Sequence, residues 1–120
     1  MYTKLSGDAA SSINFPDCVI ESFHADINTI SFRSDGIFIA GEGFIEAPVD
    51  VRIDFGAVRS RDYADGVFCE SDPSSATGLC DIGEWKVESG LLMFAGFALH
   101  GHAWREFVLA DFSVTIVSAP

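Results

Sequence analysis

Positive charge is scarce in this chain. Seven Lys and Arg stand against eighteen Asp and Glu, a formal net charge of −11 over 120 residues. Phosphate backbones and anionic lipid surfaces both select for Lys and Arg, so the shortage argues against nucleic acid and membrane as partners. A basic protein, a cation, or no charged partner remains. Long apolar runs are missing as well. The longest, Leu91 to Leu99, is broken by Gly96 and falls far short of the ~20 residues that a spanning helix needs. Met1 to Asp8 carry no basic segment followed by an apolar one, so the chain reads as a cytosolic protein. Cysteine is sparse and odd in number: Cys18, Cys69 and Cys80 cannot all pair within one chain. Cys69 and Cys80 flank a polar loop that a disulfide could close in an oxidising compartment; in the cytosol all three read as free thiols.

Catalytic signatures are absent too. There is no Gly-x-Ser-x-Gly elbow and no His-Glu-x-x-His pair. Asp54-Phe55-Gly56 matches the magnesium-binding tripeptide of protein kinases, but it ends an alternating segment in a chain far too short for that fold. Gly41-Glu42-Gly43 lacks the third glycine of a dinucleotide loop and reads as a bend in a strand. The chain is therefore not read as an enzyme.

What is present builds a core. Apolar residues are 48% of the sequence, including eleven Phe and two Trp, which rules out a solvated acidic tail. At this length one domain can bury roughly two-thirds of the surface its unfolded chain exposes. Residues 1–16 are small and polar, an N-terminal arm or edge strand, and residues 17–120 read as a single β-domain. Val49, Val51, Ile53 and Phe55 alternate with Asp50, Arg52 and Asp54, the period of a strand with one wet face. Glu84 to Glu88 alternate again, Ser89-Gly90 makes a turn, and Leu91 to Leu99 are apolar at both parities, as a strand covered on both sides would be. A parity change between Ile27 and Ile30 predicts a bulge near Asn28-Thr29, and Asp35-Gly36 predicts a hairpin returning through Ile37, Ile39 and Ile45. Residues 59–83 read as loop, with only Val67 to Cys69 strand-like. Residues 104–112 fit helix and strand alike, and Val114 to Val117 favour strand. The pattern predicts an all-β or β-rich α+β chain: one antiparallel sandwich or barrel of about six or seven strands.

Candidate sites are few. His100 and His102 would face one side of an extended strand and could chelate a divalent metal, with Asp81, Glu84 or His24 as a third ligand; a surface turn carrying two histidines is the plainer reading. No other cofactor is expected. Asp50 and Asp54 around Arg52, and Asp62 and Asp65 beside Arg59 and Arg61, are charge-balanced solvent faces that could also meet a partner. Trp85 and Trp104 are core or interface anchors.

Asp17-Cys18-Val19-Ile20, then Ile30-Ser31-Phe32, then Val51 to Phe55 and on to Val58, resemble small bacterial β-rich immunity proteins of polymorphic toxin systems. Those carry an Asp-x-x-Ile element and a strand ending in Phe-x-x-Val. The resemblance spans residues 15–58 and implies an inhibitor that neutralises a co-encoded toxin, with no site residue carried over. Beside this acidic protein-binding module stand two other readings. One is a metal- or ligand-binding barrel with His100 and His102 at its mouth and Phe94, Phe97 and Trp104 lining a cavity. The other is a structural or assembly subunit. Bare strand edges also allow a homodimer.

Overall fold

The computed structural model describes residues 2–73, 78–99 and 103–118. Thirteen strands follow one another: β1 (Tyr2–Ser6), β2 (Ile13–Asn14), β3 (Ile20–Ala25), β4 (Thr29–Ser34), β5 (Ile37–Ile39), β6 (Gly43–Ile45), β7 (Val49–Asp54), β8 (Ala57–Ala64), β9 (Val67–Ser71), β10 (Glu84–Glu88), β11 (Leu91–Phe97), β12 (Trp104–Ala110) and β13 (Ser113–Ser118). A 3₁₀ turn spans Gly7–Ser12. No described helix is long and apolar enough to cross a membrane.

All pairing is antiparallel. The first sheet has the order β1-β13-β7-β4-β3, the second β10-β11-β12-β8-β9, and a small third sheet β2-β5-β6. Period-two alternation explains why the two large sheets stack. Ile30 and Phe32, Val51 and Ile53, and Val114 and Ile116 bury one face of the first sheet. Leu92 and Phe94 with Phe107 and Leu109 bury the facing side of the second. Phe23 joins the layers, stacking on Phe32 at 6.0 Å and touching Phe107 at 5.7 Å between ring centroids. Phe15 sets its edge against Phe32 and Trp85 at 5.4 and 5.3 Å. The result is a sandwich, not a closed barrel, and its strands outnumber the expected six or seven.

Several expectations are corrected. The parity change between Ile27 and Ile30 marks the β3–β4 hairpin, whose turn occupies residues 26–28. The bulge lies earlier, between Glu21 and His24, where Ser22 takes φ +57°. Asp35-Gly36 closes no hairpin: β4 stays in the first sheet and β5 enters the small one. Gly41, in the middle of the β5–β6 turn, and Gly43, the first residue of β6, are both at positive φ. Residues 59–71 are not loop but β8 and β9, joined by a two-residue turn at Asp65-Gly66 with φ of +54° and +82°. Such a turn suits the twist of a hairpin. Residues 104–110 are strand.

The segment 78–83 ties the layers at one end. The Cys80 N–H donates to the Phe97 carbonyl at 3.0 Å, and the Cys80 carbonyl accepts the Ile20 N–H at 3.1 Å. Leu79 and Ile82 are buried beside it.

Candidate protein-interaction surfaces

The sequence scatters its carboxylates; the fold sorts them. Six of the seven Lys and Arg are held in ion pairs. On the outer face of the first sheet Arg33 grips Asp50 at 2.9 Å and Arg52 grips Asp54 at 3.0 Å. On the outer face of the second sheet Arg59 pairs with Glu70, Arg61 with Glu106 and Lys86 with Glu88. Asp50 and Asp54 are thus neutralised on a solvated face, each by one arginine.

Asp62 behaves differently from the charge-balanced residue its neighbours suggest. It pairs with neither Arg59 nor Arg61 but with Arg105, Oδ1 to Nε at 2.6 Å and Oδ2 to Nη2 at 2.9 Å. Both sit at inward-facing positions of the second sheet, in register between Gly96 and Cys69. The hydrogen bond from Arg105 holds the Asp62 carboxyl below its ordinary value against the opposing effect of burial, with the Arg105 charge and Ser71 assisting. Ser60 and Ser71, one row further in, bond to each other at 2.8 Å. Asp65 lies in the β8–β9 turn.

The two tryptophans part company. Trp85 is a core residue, 8% exposed, and its indole N–H donates to the Ala10 carbonyl at 3.0 Å. Trp104 faces outward on β12. There β11, β12, β8 and β9 place Phe97, Trp104, Tyr63 and Phe68 side by side in one cross-strand row. Phe97 meets Trp104 edge-on at 5.2 Å, Tyr63 meets Phe68 at 4.8 Å, and Arg61 lies 4.1 Å above the Phe68 ring. Phe94 points the opposite way into the core, so Phe94, Phe97 and Trp104 line no common cavity.

His100 and His102 lie outside the described residues. His24 is exposed on β3, and the Asp81 carboxylate accepts the Phe97 N–H at 2.8 Å. Among the described residues no three metal-ligating side chains converge.

Much of the surplus of negative charge falls between Leu5 and Val51. Between Leu5 and Val51 eight carboxylates face one base, Arg33. Three of them, Asp17, Asp35 and Glu46, surround an open concavity of ≈ 530 Å³ with Pro16 and Phe44. Among the described residues no ion pair reaches these three. Local chemistry holds the rim in place. The Val19 N–H donates to the Asp35 carboxylate at 2.9 Å. The Ser34 hydroxyl donates to the Gly36 carbonyl at 2.6 Å, and the buried Cys18 thiol donates to the same carbonyl at 3.3 Å. Gly36 is required because the half-exposed Phe44 ring lies on it: a Cβ there would stand 2.7 Å from the ring and 3.0 Å from the Ile45 carbonyl oxygen.

No protein-family model, curated protein or solved structure matches this chain.

Sequence reasoning missed this concavity because its residues come from three separate segments. The missed signal is the near absence of bases between Leu5 and Val51.

The thiols follow the same geography. Burial pushes the Cys18 thiol up, the Asp35 and Asp17 charges push it further, and hydrogen bonds from Ser34 and Gly36 do not offset the rise. Cys69 is exposed and Cys80 half-buried, and all three are free. An aqueous aromatic disulfide reagent at neutral pH is expected to modify Cys69 first and Cys18 last, with Cys18 released only by denaturant. Equal rates at all three, read by mass spectrometry of timed samples, would refute the burial of Cys18.

Proposed function

We propose that the protein is an acidic protein-binding module that captures a basic segment of a partner in the concavity formed by Asp17, Asp35, Phe44 and Glu46. An immunity-type inhibitor is the kind of protein this describes. One observation carries the reading: among the described residues these carboxylates have no ion-pair partner, while six of the seven Lys and Arg are already paired. A Lys or Arg from a partner would find three carboxylates and one exposed aromatic face, the two groups that favour a cation. The uncompensated field would also speed encounter with a basic protein and repel nucleic acid.

The test uses an immobilised arginine-rich peptide as the basic probe. Asp17→Asn, Asp35→Asn and Glu46→Gln together are expected to weaken binding at least about tenfold. A control set outside the concavity, Asp8→Asn, Asp65→Asn and Glu84→Gln, removes the same charge and is expected to change it much less. Binding by the unmodified chain weakens as salt rises. Equal losses from the two sets would show that net charge alone binds the peptide and would defeat the proposal.

A further inference from the structure

Sheet edges are sites of uncontrolled pairing, and proteins guard them with lysine, proline, bulges, short strands or covering segments. Most edges here are guarded. β1 carries Lys4 at its centre, and β3 is broken by the bulge at Ser22. β10 is flanked by the 3₁₀ turn through the Trp85–Ala10 bond. β2 and β6 are two and three residues long. β9 differs. It runs five residues in unbroken register with β8, with no lysine, proline or bulge, and Val67, Phe68 and Cys69 are exposed.

We propose that β9 is a self-pairing edge. Two copies of the chain join antiparallel along Val67–Ser71, about a two-fold axis through Cys69, so that their second sheets become one continuous sheet. This goes beyond the capture of a basic partner and uses a different surface.

Hydrogen-bond phase selects the register. The two-residue turn makes Ala64 and Val67 the narrow, hydrogen-bonded pair that closes the β8–β9 hairpin. Bonding then alternates along the ladder. The N–H and C=O groups of Val67, Cys69 and Ser71 point to β8, and those of Phe68 and Glu70 point outward. Centring the dyad on Cys69 sets Phe68 of each copy opposite Glu70 of the other. All outward groups then bond, and the Cys69 pair falls at a close, non-hydrogen-bonded position with Cα atoms about 4.5 Å apart.

Charge selects the same register. Centring on Glu70 would oppose two carboxylates, which is destabilising. Centring on Phe68 would draw the turn residue Gly66 into the ladder. With the dyad on Cys69, each Glu70 meets Phe68 of the other copy, and that ring carries Arg61 above it at 4.1 Å. The contact therefore brings a second guanidinium, that of Arg61, toward each Glu70, which its own chain already pairs with Arg59. The overall charge of −11 on each copy opposes association, so added salt strengthens it. Capture of a basic peptide has the opposite salt dependence, which makes failure of either proposal distinguishable from failure of the other.

Sedimentation velocity from micromolar to sub-millimolar concentration, at low and high salt, is the first measurement. A reversible dimer that tightens with salt is expected. Phe68→Pro removes an outward N–H without touching a β8–β9 bond, and is expected to weaken the dimer at least about tenfold with the far-ultraviolet circular dichroism unchanged. Crosslinking gives an independent readout in the unmodified chain. With copper–phenanthroline as electron shuttle, two Cys69 thiols lose two protons and two electrons to molecular oxygen. Two S–H bonds break, one S–S bond forms between copies, and oxygen is reduced to hydrogen peroxide. A covalent dimer linked through Cys69, and lost in Cys69→Ser, supports the register whether or not the proline variant folds. A monomer at every concentration and salt, a dimer indifferent to Phe68→Pro, or crosslinks running through Cys18 or Cys80 would each overturn the proposal.

Discussion

Arg105→Met is expected to lower the free energy of unfolding by about 3 kcal/mol at neutral pH. Removing one partner of a buried ion pair leaves the other desolvated and uncompensated, which typically costs ~3–5 kcal/mol. The low end applies because the Asp62 side chain keeps 28% of its exposure, against 7% for Arg105. Acid separates this cause from lost packing. The folded Asp62 carboxyl lies below its ordinary value near 3.8, so its contribution is fully present above that value and disappears as pH falls through the depressed one. The gap between the parent and Arg105→Met should therefore narrow in acid, where Asp62 is protonated in both. Pairing Arg105→Met with Asp62→Leu should recover much of the loss, since an apolar pair of similar volume often replaces a buried ion pair without penalty. Urea unfolding of the three variants at neutral and acid pH is the measurement. A gap that stays constant with pH would mean that Arg105 acts through its aliphatic stem alone.

Phe107→Ala is expected to cost about 3–5 kcal/mol, from lost apolar burial and the cavity left behind. Phe107 is 1% exposed, stacks on Phe94 at 5.1 Å between centroids and reaches Phe23 across the sandwich at 5.7 Å. Removing it opens a void between layers that neither sheet can close without shifting its whole ladder. Phe97→Ala on the neighbouring strand should cost well under half as much, because Phe97 is 46% exposed on the opposite face. Denaturant midpoints of the two variants test which faces are inside. Comparable losses would mean that the outer aromatic row is itself covered.

Strands with one apolar face were readable in advance. β7 alternates Val49, Val51 and Ile53 with charged residues, and β10 alternates around Trp85 and Val87, because one side of each meets the core and the other meets water. β8 escaped for the opposite reason. Its inward positions include Ser60 and Asp62, polar side chains whose partners Ser71 and Arg105 arrive from other strands. No periodicity within residues 57–64 could announce that. Asp35-Gly36 misled because a turn signal fixes a change of direction, and the choice of sheet for the next strand lies with long-range pairing. The role of Trp104 stayed open along the chain because a ring in an exposed row and a ring in a core have the same local sequence.

Composition and period by themselves determined an apolar-cored, acidic β-protein, because charge totals and side-chain alternation are properties of the chain alone. Tertiary structure alone decided which charges are cancelled. Arg105 finds Asp62 forty-three positions away, five other bases are pinned on two sheet faces, and Asp17, Asp35 and Glu46 are drawn around Phe44 with no ion pair to any of them among the described residues. Ion pairing acts over a few ångströms, and only the packed sheets bring residues from distant segments that close.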